Sequence, residues 1–307
     1  MPYSNCTISF FKNDLQRARR IQGRCPVKNC SSALKKVPYQ KWQVPFCPEH
    51  GLRIHKSSGF VYYNGSTQAD KALATKRNFM FNADYCINNF YKKGNKIESH
   101  RLCYESSEDA LTFNIFSELL SKKQPLKKLV SAITKKEIRD DIDLYLWGNR
   151  IALESRDTQF YGPLKQLHNA LEPDIKPFIT EPDIMLIIPK KLVICIEAKF
   201  GSKNPIAKDK DTKEGEKPKR KRELIKKYCL KNSILDTDPI FDFSNMPDLF
   251  YEQLFRNIVF AASMAKLEGA PDWRVVNLRN QHVMNLKQGK AESAPVMRNV
   301  RSILRPK

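Results

Sequence analysis

Two short apolar runs dominate the hydrophobic pattern of the chain, IMLII at 184–188 and LVICI at 192–196. Both are rich in β-branched residues, and Pro189-Lys190-Lys191 separates them. Runs of that length and composition around a turn predict two buried strands. Upstream, Leu111, Phe113, Ile115, Phe116, Leu119 and Leu120 recur at roughly helical spacing. Ser106 or Ser107 can cap that helix, with Glu108 and Asp109 in its first turn, where acids suit the dipole. Pro125 follows it, and a second helical segment covers about 126–136. DIDLYLW and RIALES flank Gly148-Asn149 and read as a hairpin, while KQLHNALEP is a short helix or a turn. PDLFYEQLFRNIVFAASMAKLEG is the strongest helical pattern of the second half, closed by Gly269, and WRVVNL is a further strand. Together these elements imply an α/β sheet covered by helices.

The rest of the chain is patterned differently. Residues 1–60 are rich in Lys, Pro and Cys with scattered apolar positions, the mark of a small module that its core alone cannot hold. Residues 61–104 form a connecting segment in which ATKRNFMFNADYCINNFYKK predicts one or two short helices. The main domain then runs over 105–307. Within it, residues about 202–222 carry almost no apolar side chains and many lysines, as a solvated loop does. A basic helix, ELIKKYCLKN, is expected after it, and the chain ends on the basic NVRSILRPK.

Charge narrows the partners. The 307 residues are 41% hydrophobic, enough for a real core, yet carry a net charge of +21. Such an excess favours a polyanion, most simply nucleic acid. No apolar run reaches about 18 residues, so no spanning helix is expected. The start of the chain lacks a basic-then-apolar signal pattern, which points to the cytoplasm. There, eight cysteines read as metal ligands or buried thiols rather than disulfides.

The two apolar strands carry the chemistry. Glu181-Pro182-Asp183 opens the first, and Glu197-Ala198-Lys199 closes the second. Residues i and i+2 of a strand share a face, so Glu197 and Lys199 project together. If the strands pair, Asp183 comes near both. Two carboxylates and an ammonium on one sheet surface can hold a divalent metal and a water, which suits metal-assisted hydrolysis of a phosphodiester. Mg²⁺ takes one or two carboxylates, so Asp183 and Glu197 are the metal candidates, and Lys199 is the point charge that orients water or neutralises developing charge. Glu181 reads as a turn acid in preference to an outer ligand.

The EPD…EAK segment resembles the signature of the PD-(D/E)xK nuclease superfamily. SSEDALTFNIFSELL resembles the first helix of that fold, and YEQLFRNIVFAA the helix after its core strands. The resemblance covers about 105–285. It implies a restriction-endonuclease-like mixed central sheet flanked by helices, Mg²⁺ or Mn²⁺ dependence, and cleavage of DNA, less often RNA. It also implies an acid from the first helix, either Glu108 or Asp109 with Glu108 preferred. From the later helix it implies Gln253 at the catalytic site and Arg256 near the site or the DNA backbone. The block Lys217, Lys219, Arg220, Lys221 and Arg222 is either a backbone-binding loop or a solubilising one.

A second constellation lies in the first sixty residues. Four residues lie between Cys25 and Cys30, two between Cys47 and His50, and sixteen join the pairs. Structural zinc takes four such ligands in a tetrahedron. Cys25, Cys30, Cys47 and His50 are therefore the zinc candidates, with His55 a rival for the histidine. This half resembles a generic zinc ribbon or finger, whose role is structural or DNA-gripping. Tyr39 and Trp42 either stack on bases or pack its small core, the second being the expectation. Cys195 reads as a buried thiol in its strand.

The expectation is thus a metal-dependent DNA endonuclease with an N-terminal zinc module, for which the resemblance suggests a place in phage defence. The alternative is a zinc-containing nucleic-acid-binding subunit, inactive or cutting only with a partner complex. The chain has no G-x-x-x-x-G-K-[ST] motif, so any energy-driven step needs another protein. A homo-oligomer is an equally open arrangement.

Overall fold

The computed structural model describes residues 16, 19, 22–39, 41–55, 59–61, 68–91, 102–155, 158–173, 180–200 and 251–279. The Lys217–Arg222 block, the expected basic helix and the basic tail lie outside them. The chain divides into two compact units, one of residues 1–122 and 152–157, the other of 123–151 and 158–307. Among the described residues, no helix is long and apolar enough to cross a membrane.

The first unit opens with an antiparallel four-stranded sheet in the order β1 (Lys35–Tyr39), β2 (Trp42–Cys47), β3 (Leu52–His55) and β4 (Gly59–Val61). Helices α1 (Gln68–Asn78) and α2 (Ala83–Cys86) follow, and a π-helical turn over Ile87–Tyr91 continues α2. These fill the segment where one or two short helices are expected. Its core gathers Cys25, Val27, Cys30, Cys47, Leu52, Ile54, Ala74 and Cys103. Residues on both sides of the expected boundary at residue 60 therefore share one core. Within the later segment, buried Asn78 ties the end of α1 to the carbonyls of Leu102 and Tyr104, donating to each at 2.6 Å.

Trp42 departs from expectation. It is 68% exposed, because it sits at the β1–β2 turn, past the point where Val44 and Phe46 turn inward. The side chain of Tyr39 is outside the described set.

Helix α3 (Glu108–Ser121) belongs to the same unit, so the division falls after α3 rather than near residue 105. Ser107 caps it, its hydroxyl accepting from the amide of Ala110 at 3.1 Å. Phe113 and Phe116 are buried, whereas Leu111 and Ile115 are exposed. Asn114 replaces them in the packing, its carbonyl accepting from the amides of Met80 and Phe81 at 2.6 and 3.2 Å.

The second unit is a mixed sheet with helices. Helix α4 (Gln124–Thr134) starts on Pro125, which is tolerated in the first turn where no amide hydrogen bond is needed. The sheet order is β6 (Asn149–Arg150), β5 (Asp143–Leu146), β7 (Ile184–Ile188), β8 (Leu192–Lys199), β9 (Asp272–Arg279). All pairs are antiparallel except β8–β9, which is parallel. A parallel pair needs a crossover, and α6 (Glu252–Glu268) supplies it, ending on Gly269 at φ +67°. Helix α5 (Gly162–Leu171) packs beside α6 in the core with Met185, Ile187, Val193 and Cys195. Cys195 is fully buried as expected, and burial pushes its thiol up.

The β5–β6 hairpin turns one residue earlier than its sequence suggests. Trp147 and Gly148 hold φ of +48° and +77°, the pattern of a type I′ turn. Gly148 is obligatory there, since a Cβ would lie 2.5 Å from the Phe160 ring. The amide of Trp147 donates to the Asp183 carbonyl at 3.3 Å, so this turn abuts the start of β7.

Candidate active site and metal centre

Register builds the site. Ile184 pairs with Ile196, which sets Asp183 opposite Glu197 one step further along. Directly opposed residues of antiparallel strands share a face, so both carboxylates and Lys199 lie on one side of the sheet. It is the side covered by α6, because Val193 and Cys195 of that face pack against the helix.

The side chains are held in place individually. Asp183 Oδ2 accepts from the Ala198 amide at 2.8 Å, locking the two strand ends together. Glu197 is only 2% exposed. Its Oε1 accepts from Lys199 Nζ at 2.5 Å and its Oε2 from Asn257 Nδ2 at 3.0 Å. A buried carboxylate without such partners would be costly, so the pair and the amide account for its burial. Gln253 precedes Asn257 by one turn and shares its stripe on α6. Its Oε1 is buried and has no hydrogen-bond partner among the described residues.

Two carboxylates on one face with a lysine bonded to one of them are hard oxygen donors beside a point charge. The chain belongs to a restriction-endonuclease family. The family described as Restriction Endonuclease associating with ARP matches residues 49–305. No curated protein and no solved structure matches it. The mixed sheet of this restriction-endonuclease-family chain agrees with the fold that the EPD…EAK segment implies.

Arg256 takes a different direction from Gln253. It is 8% exposed; its Nε donates to Thr180 Oγ1 at 2.6 Å and its Nη2 to Glu172 Oε1 at 3.0 Å. Glu172 Oε2 accepts from the Thr180 amide at 2.7 Å, and the Thr180 hydroxyl donates to Glu172 Oε1. His168 Nε2 donates to the Thr180 carbonyl at 2.7 Å, which assigns its proton to that nitrogen. This buried network joins α5, the residue three before Asp183, and α6. It fixes the turn of α6 that presents Asn257 to Glu197. Any phosphate contact from Arg256 would draw on a guanidinium already engaged. Glu108 and Asp109 stand in the first turn of α3, in the first unit.

Sequence reading missed Asn257, Glu172, Thr180 and His168. Asn257 was within reach, since it lies four residues from Gln253 on a helix. The Glu172–Arg256 pair was not, because 84 residues separate its members.

The metal cluster in the first unit has tight geometry. Donor atoms of Cys25, Cys30, Cys47 and His50 all lie within 4.8 Å of one another, and all four residues are buried. Zinc bonds in a tetrahedron set two sulfurs about 3.8 Å apart and a sulfur and a nitrogen about 3.5 Å apart. The Cys30 and Cys47 sulfurs are 3.8 Å apart, and His50 Nδ1 lies 3.6 Å from Cys25 Sγ and 3.4 Å from Cys47 Sγ. His50 is thus the histidine of the cluster. Burial pushes the Cys25 and Cys30 thiols up and the His50 imidazole down. Arg19 braces the first pair, donating to the carbonyls of Cys25 at 2.9 Å and Cys30 at 2.5 Å.

Proposed function

We propose that the chain is a metal-dependent endonuclease that hydrolyses phosphodiester bonds of DNA. The observation that supports it best is Asp183 set opposite Glu197, with Lys199 bonded to Glu197, in a chain of a restriction-endonuclease family. Asp183 and Glu197 are the residues that would hold Mg²⁺ or Mn²⁺; two carboxylates match the hard oxygen donors these ions take. The bound ion would supply Lewis-acid charge and acidify water near neutral pH. Lys199 bridges Glu197 and the reacting phosphate and offsets charge gained in the transition state. Asn257 orients Glu197, and the buried Gln253 Oε1 receives a polar group of the reacting assembly. Glu108, with Asp109 as the alternative, is proposed as the acid that the family resemblance assigns to the first helix.

Cys25, Cys30, Cys47 and His50 hold a structural zinc. Lys217, Lys219, Arg220, Lys221 and Arg222 are proposed as contacts to the nucleic-acid backbone, whereas Arg256 is committed to Glu172 and Thr180. We place the activity in the cytoplasm and in antiviral defence. A second reading is favoured by the family description, which names association with ARP. In it, the chain cuts only when such a partner is bound.

The deciding experiment is a cleavage assay on single- and double-stranded DNA and RNA with Mg²⁺ or Mn²⁺. Cleavage of DNA by the isolated chain is expected, falling at least about 10³-fold in Asp183→Ala and in Lys199→Ala. Retained metal-dependent cleavage in either folded variant would sink the assignment. Activity that emerges only with a partner supports the second reading.

A further inference from the structure

The parallel β8–β9 register extends the site onto a strand whose chemistry the EPD…EAK motif does not include. Cα partners run from Leu192↔Asp272 to Lys199↔Arg279 without a break. Glu197 therefore lies beside Asn277, and Lys199 beside Arg279. Partners in a parallel register point to the same face. The face is known, because Trp273 and Val275 of β9 pack with Val193 and Cys195 into the core under α6. Asn277 and Arg279 continue that face past the apolar core, to the level of Glu197 and Lys199.

The ammonium of Lys199 is nearly buried and is paired with Glu197. Arg279 is half-buried at the carboxyl end of its strand. A planar guanidinium beside an ammonium matches the tetrahedral oxygens of a phosphodiester, with two parallel N–H donors to one phosphate.

We propose that Arg279 forms, with Lys199, a phosphate subsite for the nucleic-acid strand. The subsite rests on the nuclease reading of the same sheet face. Arg279 holds a nonbridging oxygen and positions the strand, and Asn277 lines the approach to Glu197. The contact is made to the backbone, so it is blind to base sequence.

The test is equilibrium binding of a fluorescein-labelled DNA duplex and single strand to the full zinc-loaded chain without added Mg²⁺ or Mn²⁺, across a salt series. Arg279→Gln is expected to weaken binding by roughly tenfold on every sequence tried and to reduce the salt slope by about one unit. Arg279→Lys keeps the charge, so it is expected to retain the slope while losing part of the affinity. Unchanged affinity and slope in Arg279→Gln, with wild-type chain binding DNA, would overturn the subsite alone. A slope lost equally in Arg279→Lys would mark a structural effect and overturn it as well. Wild-type chain that binds neither probe would overturn subsite and nuclease reading together.

Discussion

The two units solve the same problem of stability with different means. In the second, apolar strands stack under a long helix, and Met185, Val193, Cys195, Phe260 and Met264 are wholly buried. In the first, the core cluster around β1–β3 contains four cysteines, and three of them belong to the metal cluster. A unit whose inward groups are metal donors depends on the ion, whereas one built on hydrocarbon depends on packing. The chemistry is divided in parallel: soft donors stand where the fold needs a crosslink, hard carboxylates where we place the reaction.

Removing the ion should give the largest effect. Structural zinc contributes about 10–16 kcal/mol of apparent binding free energy in small metal-folded modules. Chelation, or Cys25→Ser with Cys47→Ser, is therefore expected to unfold the first unit while the second keeps its protection. Hydrogen exchange read by mass spectrometry, with elemental analysis for about one zinc per chain, checks it. Equal protection of both units after complete zinc loss would erase the contrast. Acid should release the ion for the same reason: buried thiols of raised pKa regain their protons as pH falls.

Next in size is Arg256→Ala. It strands the fully buried Glu172 carboxylate, and breaking such a pair costs about 3–5 kcal/mol. Urea melts should show the second unit destabilised, with part of the loss recovered by adding Glu172→Gln. A melt that matches wild type would mean that α6 is held by its apolar face alone.

Asn257→Ala removes the amide from Glu197 Oε2, a hydrogen bond to a carboxylate worth about 1.5–3 kcal/mol. Cleavage should fall by one to two orders of magnitude, about what that energy allows, with less effect on substrate affinity. An equal loss in KM and none in kcat would deny it the positioning role. The smallest effect belongs to Ser107→Ala, the loss of one N-cap on α3, about 1 kcal/mol in the first unit. Thermal melting of the zinc-loaded protein measures it.

Much of this contrast was legible in the residues. Cys25, Cys30, Cys47 and His50 declared themselves by spacing, because two short-range pairs need one loop to meet. IMLII and LVICI declared themselves by composition. Helix α3 was placed correctly by its cap, yet two of its apolar positions, Leu111 and Ile115, face solvent while polar Asn114 packs inward. Helical spacing cannot foresee that, since which stripe is buried depends on what packs against it. Trp42 illustrates the same limit at a hairpin end.

By itself, the sequence determined the candidate residues and the local elements that carry them. Strand periodicity put Glu197 and Lys199 on one face, and ligand spacing selected the metal donors. Only the tertiary structure decided their surroundings: Asp183 across from Glu197, Asn257 reaching it from α6, and Arg256 turned away to Glu172. It also laid Arg279 beside Lys199, eighty residues apart in the chain. The physical reason is that periodicity and capping act over a few residues, whereas strand register and helix phase are set by packing between distant segments.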